Sequence, residues 1–416
     1  MSLNFRRLSA LVAFLACFAL SRAALAAGTY KFCFFWNYSF IDQGMGEDKL
    51  LHLAPPYGDG TYGVKGAAYS YAVVFRDSVP IWGGLLDVNG CTPKVPATAG
   101  TYEIYTTTDI EPPGGPKILI TPTEAREWRW YWAYFGYLPS STYQWTYSAG
   151  FGPGDALINV AAAALELLER PDNGLVNGQE YWVSAESTGL TGTGDAVGLG
   201  WNKQFSQWDA YFKSIIVHEL GHLIQAKSFG FQGTPYDLTD DPMYAAPPIC
   251  TCASVYDEAE RSHCIQSREA TSVAQVEGFA HFVATATLNS PAQSPAWFPY
   301  YKNFLSTDGN VYQPPMGFAT VPWHWLRDQC PAGNGGVELD WMTFFYALTR
   351  NASASQYSFN DIAVTYRRTC TGSNTTNCVK ESVTPWAGLV AAATAIHGTT
   401  KGVYWANQGD VYGVNY

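Results

Sequence analysis

The sequence predicts an α+β protein: a β-rich N-terminal part, then a mixed segment, then a mainly helical one. Three observations carry this. From Thr29 to about Ile110 the chain holds short runs rich in Tyr, Val and Thr, separated by turns containing Gly and Pro. Glu111-Pro112-Pro113-Gly114-Gly115-Pro116 is the clearest linker. Beyond it, apolar residues recur at helical spacing with recognisable start and stop residues.

The first 26 residues read as a targeting segment. Arg6 and Arg7 form a basic start, Leu8 to Leu20 is an apolar run too short to span a bilayer, and Ala24-Leu25-Ala26 is a small-x-small cleavage site. The chain is therefore expected to be secreted or periplasmic. Without Arg6, Arg7 and Arg22, 21 basic face 35 acidic residues, and the net charge moves from −11 to −14. So acidic a body does not suit nucleic acid or an anionic membrane surface, and no other apolar run approaches membrane length. Nine cysteines less Cys17, inside the apolar run, leave eight, an even number for an oxidising compartment. Cys33 is expected to pair with Cys91, and Cys370 with Cys378. For Cys250, Cys252, Cys264 and Cys330, two disulfides are favoured over a structural zinc site that includes His263.

Residues 27–111 are assigned to a β-rich domain, either a binding module or a pro-segment, with strands at Thr29–Phe35, Ala68–Phe75, Ile81–Leu86 and Tyr102–Thr108. Residues 112–289 are assigned to a catalytic α/β lobe and 290–416 to a mainly helical lobe. Lys117–Ile120 reads as a buried strand. Thr121-Pro122-Thr123-Glu124 reads as a capping box opening a helix that carries Trp128, Trp130, Tyr131, Trp132, Tyr134 and Phe135. Core packing is the favoured role for those rings, ahead of a carbohydrate platform. Asp155 is expected to cap a helix over Ala156–Arg170, and strands follow at Glu180–Ser184 and Asp195–Trp201. Later helices are expected at Asp340–Arg350, at Ser358–Arg368 and from Thr384-Pro385 to Ile396, closed by Gly398.

The stretch that carries chemistry is Ile215-Ile216-Val217-His218-Glu219-Leu220-Gly221-His222-Leu223-Ile224-Gln225, an H-E-x-x-H pattern in an apolar helical run. A helix puts positions i and i+4 on one face, so His218 and His222 can offer two imidazoles to one metal ion. Catalytic zinc uses neutral imidazoles and an open position, and Glu219 falls where a general base takes a proton from metal-bound water. Gly221, a poor helix former, points to close packing of another backbone. With seven His in the chain, the pattern arises by chance on the order of 0.5% of the time. Two histidines satisfied inside a core are the competing explanation.

This segment resembles the active-site helix of the zincin metallopeptidases. Metzincins need Gly and His after the motif, where this chain has Gln225 and Ser228. Val276-Glu277-Gly278-Phe279-Ala280-His281, in a helix expected over Ser267–Leu288, resembles the third-ligand segment of the gluzincin branch, whose plan is that of thermolysin. The resemblance spans about Val197 to Ala284. It implies a two-lobed gluzincin-like fold, Zn2+ held by His218, His222 and Glu277, Glu219 as general base, and a peptide or protein substrate paired with an edge strand at Ala196–Trp201. Rival third ligands are His281 and Asp237, the latter in a half-matched aspzincin run. Gluzincins also use a Tyr or His from the later lobe to stabilise the oxyanion; His324 is the candidate, with Tyr346 and Tyr366 as rivals. Asp237, Asp240 and Asp241 offer hard oxygen ligands for Ca2+, with a solvated acidic turn as the alternative. Trp201, Phe279, Trp297, Phe298, Tyr300, Tyr301 and Trp323 suggest an endopeptidase favouring apolar residues, whereas Glu186 and Asp195 are placed to hold the free amine in an aminopeptidase. A non-catalytic exported binding protein with the same zinc fold, using its 64 aromatic residues for contacts, is the alternative from another class. Glu219 beside the metal argues for chemistry.

Overall fold

The computed structural model describes residues 28–40, 61–122, 127–152, 155–185, 202–205, 210, 213–229, 268, 271–288, 337–350, 355–369 and 386–415. Their architecture is mixed α+β, with the strands concentrated in the N-terminal part and the helices after them. The N-terminal part is built on β1 (Thr29–Phe40). Tyr30, Phe32, Phe34 and Trp36 alternate along it and are fully buried, the pattern of a strand with one face in a core. On one side β1 pairs in parallel with β9 (Gln144–Phe151). On the other it pairs antiparallel with β2 (Thr61–Gly66) and with the short β5 (Val95–Pro96).

A second, antiparallel sheet has the order β4 (Val79–Leu85), β3 (Tyr71–Arg76), β6 (Gly100–Thr106) and β8 (Tyr131–Leu138). The two sheets meet through aromatic rings. Tyr102 of β6 lies 5.5 Å from both Tyr30 and Phe32, and Phe135 of β8 lies 5.3 Å from Phe32. The expected Cys33–Cys91 disulfide ties β1 to the turn after β4. Asp87 organises that turn: its Oδ1 accepts from Asn89 N and Cys91 N at 2.9 Å each, and its Oδ2 lies 3.2 Å from Lys31 Nζ.

Two expectations are corrected here. Glu111–Pro116 does not end the β-rich part, because β8 and β9 follow it and pair with β6 and β1. The aromatic run after Trp128 is a strand, not a helix. Thr121 ends β7 (Lys117–Thr121), and Thr123 and Glu124 of the expected capping box lie outside the described residues. Tyr131 and Leu138 are buried, whereas Trp128, Trp132 and Tyr134 are 39%, 53% and 58% exposed, so these three are not the core residues expected, and Tyr137 is exposed as well. Large rings suit a pleated surface, and ladder pairing with β6 outweighs a local start signal. A bulge opposite Tyr102/Glu103, with Gly136 at φ 73°, returns Tyr137 to the outer face after Tyr134.

The third sheet is parallel, in the order β11 (Asn202–Phe205), β10 (Glu180–Ala185), β7. Ile118, Leu119 and Ile120 are all buried, as in a strand covered on both faces. Between β7 and β10 the chain forms α1 (Ala156–Leu168), capped as expected by Asp155, whose Oδ1 accepts from Leu157 N at 3.0 Å. This Ala- and Leu-rich helix is buried from Leu157 to Leu165. It packs on β1, β7 and β10, so it joins the aromatic sheets to the layer that holds the candidate site. Asp109, just before β7, is 4% exposed and accepts from Ile120 N at 2.8 Å. Burial drives its carboxyl up to about 7, against the pull of that N–H.

The remaining elements are α2 (Lys213–Phe229), α3 (Thr271–Leu288), α4 (Glu338–Arg350), α5 (Phe359–Thr369), α6 (Trp386–His397) and α7 (Thr399–Tyr412). α2 contacts α1, β11, α3 and α5; α3 packs on α4, and α4 on α7. Helix α7 was not legible beforehand, since Gly398 turns the chain into it at φ 86° instead of ending the helical part. With Gly402 and Gly409 inside it, α7 is a poor intrinsic helix, stabilised by burial of Trp405 and Tyr412. One apolar core runs from Tyr30 to Val414. Among the described residues no helix is long and apolar enough to cross a membrane. The targeting segment, Asp195–Trp201, Glu186, Asp237, Asp240, Asp241, His324 and every cysteine except Cys33 and Cys91 lie outside the described residues.

Candidate metal centre

Helix α2 turns its apolar side inward: Ile216, Val217, Leu220, Leu223 and Ile224 are buried, with His222 and Gln225 among them. His218 and Glu219 are partly exposed. At Gly221 the helix meets α3 so closely that a Cβ would lie 2.9 Å from Ala280 Cα and 3.1 Å from its carbonyl oxygen. The close backbone approach expected from that glycine is therefore present, and it sets His218 and His222 beside Glu277.

His218 Nε2 lies 3.0 Å and His222 Nε2 3.1 Å from the same atom, Glu277 Oε2. The two rings stand nearly perpendicular, 88° apart, with centroids at 4.8 Å. Among the described residues, His218, His222 and Glu277 are the one group of three potential metal ligands, with donor atoms all within 4.8 Å of one another. The side chains of His222 and Glu277 are 3% and 4% exposed and that of His218 is 12%.

Do these residues fit a zinc ion? Two nitrogens and one carboxylate oxygen are a zinc donor set that leaves a fourth position open. Donors about 2.1 Å from a tetrahedral ion lie roughly 3.4 Å apart. The observed 3.0 and 3.1 Å are a few tenths shorter, a difference that small side-chain rotations supply. The donor set fits.

His281 follows Glu277 by one helical turn, and its ring lies 4.2 Å from that of His218 at 54°. Its Nε2 is 3.2 Å from Oε2 of Glu338, whose side chain is 1% exposed. Burial and then the neighbouring His218 push the His281 imidazole below its ordinary value, against the opposing Glu338 carboxylate. The geometry thus joins His218, His222 and Glu277 and sets His281 at their side. Of the other rivals, Asp237 and His324 lie outside the described residues. Tyr346 and Tyr366 are buried, and the Tyr366 hydroxyl accepts from Gln275 Nε2 at 2.6 Å. Glu338 carried no role in the sequence; it lies 57 residues from His281, and no local pattern links the two.

Compared with known proteins, the chain matches no protein family model, no curated protein and no solved structure.

Proposed function

We propose that this chain is an exported zinc peptidase of gluzincin-like plan, with His218, His222 and Glu277 as ligands and Glu219 as general base. The observation that carries the reading is the convergence of both H-E-x-x-H imidazoles on one oxygen of Glu277, from a second helix. A core that only satisfies two histidines can use a shared carboxylate as their acceptor, but it has no need of Glu219 beside them. Held by these residues, zinc would supply Lewis acidity for a peptide carbonyl and for water, whose pKa it would bring towards neutrality.

The chain's own groups do the rest. Burial of His222 and Glu277 keeps bulk water from competing for their donor atoms, and His218 and Glu219, which are only partly buried, are the members of the group proposed to meet water and substrate. Glu219 takes a proton from water and returns it to the leaving amine. His324 as oxyanion donor, the strand Ala196–Trp201 as peptide cradle, calcium at Asp237–Asp241 and a preference for internal cuts beside apolar residues belong to the same proposal.

A second reading, a non-catalytic binding protein, draws on the exposed Trp132, Tyr134 and Tyr137 of β8. Metal analysis tests the first. The purified mature chain should carry about one zinc, and Glu277→Ala and His222→Ala should each lose it; zinc retained by both variants would remove the proposed ligand set.

A further inference from the structure

We infer that Glu338 and His281 form a positioning pair for His218. The inference rests on the zinc-peptidase reading and adds two residues that are not among the three donors. His281 touches two groups at once. Its Nε2 is 3.2 Å from a carboxylate oxygen of Glu338, at the start of α4, and its ring lies against that of His218 with centroids 4.2 Å apart. His218 is thereby confined from two directions, by Glu277 at Nε2 and by the His281 ring along its side.

The approach of α4 to α3 is what allows this. Gly278, next to the ligand Glu277, has no room for a side chain: a Cβ would lie 2.4 Å from Trp341 Cβ and 2.6 Å from the Glu338 carbonyl oxygen. That contact delivers the Glu338 carboxylate to a residue one turn past Glu277. A buried carboxylate is destabilising unless it is paired. Stabilising the N-terminal end of α4 explains an acid in its first turn. Asp340, also in that turn and 3% exposed, already meets the need, and a dipole effect does not require a side chain to reach into α3. The hydrogen bond to Glu338 sets the rotation of the His281 ring, and the ring restricts His218 to the rotamer that aims Nε2 at Glu277. Outer partners of this kind change metal affinity by about 10–100-fold when removed.

The test measures zinc affinity by chelator competition and the absorption spectrum of the cobalt-substituted protein. It compares the parent chain with Glu338→Ala, Glu338→Gln, His281→Ala and His218→Ala, and unfolding of each metal-free protein separates folding from site effects. Glu338→Ala and His281→Ala should weaken zinc by about 10–100-fold and alter the cobalt spectrum. Glu338→Gln, which keeps an oxygen to accept from His281, should stay within about 3-fold of the parent with the parent's spectrum. If Glu338→Ala does not fold, His281→Ala and Glu338→Gln carry the comparison. Unchanged affinity and spectrum in His281→Ala overturn the pair while leaving the zinc site standing. Loss in His281→Ala as complete as in His218→Ala makes His281 a ligand and overturns it too. So does a Glu338→Gln variant as weak as Glu338→Ala, or as weak as His281→Ala where Glu338→Ala does not fold. A parent chain that binds no zinc overturns the reading on which the pair rests.

Discussion

Gly221→Ala puts one methyl group into the contact between the two helices that carry the proposed metal donors. Its Cβ would lie 2.9 Å from Ala280 Cα and 3.1 Å from Val283 Cβ. Carbon atoms pack best at about 3.5–4.0 Å, so α2 and α3 must part by roughly half an ångström or more. Two effects compete. Alanine is favoured over glycine in a helix interior by about 1 kcal/mol, and overpacking costs about 1–3 kcal/mol. The two nearest atoms are main chain, so no rotamer change relieves the clash and the upper part of that range applies. The net expectation is a loss of about 1–2 kcal/mol. The same separation draws His218 and His222 away from Glu277, so zinc affinity falls as well. Urea unfolding of the metal-free protein measures the first effect and chelator competition the second. A variant as stable as the parent, or more stable, would refute the close contact on which the site geometry depends.

Three further outcomes follow from particular residues. Asp109→Asn keeps an oxygen for Ile120 N–H but cannot ionise. The Asp109 carboxyl is raised to about 7 in the fold, so its penalty is absent below about pH 4, grows as the pH rises through that window, and is constant above about 7. The variant should therefore gain about 2–4 kcal/mol over the parent between pH 4 and pH 8, and parallel pH profiles of unfolding would contradict this. Replacing Cys33 and Cys91 by Ser opens a span of 58 residues and should lower stability by about 2–4 kcal/mol; a reductant without effect on parental unfolding would argue against the bond. Trp132→Ala with Tyr134→Ala on the exposed face of β8 removes two strand-favouring rings and should lower stability by about 0.5–2 kcal/mol, and a loss of about 3 kcal/mol or more, typical of core rings, would mean that these rings are covered.

What the sequence made legible was local. The i, i+4 spacing of His218 and His222 fixes their common face in any helix, and Asp155 caps α1 by contacts within its own first turn. Glu277 came into view only through a family resemblance, because periodicity does not say which distant helix packs on α2; Gly221 marked the place of contact but not the partner. The failures were of the same kind. Tyr131–Leu138 carries both an upstream helix-start signal and the aromatic content typical of a strand, and its pairing with β6 decided between them. The parallel pairing of β1 with β9 crosses the Glu111–Pro116 break, so a local breaker gave the wrong end for the β-rich part. Glu338 was invisible because its role exists only where Gly278 lets α4 approach α3.

The central claim is tested most directly by peptide hydrolysis with the parent chain and Glu219→Gln at matched zinc content. Glutamine keeps the size of the side chain and removes its ability to take a proton. The account predicts about one zinc per chain in both proteins and turnover lower by at least about 100-fold in the variant. Parental activity should be abolished by chelation and restored by zinc. Undiminished turnover in Glu219→Gln, or hydrolysis that survives complete removal of the metal, would contradict it.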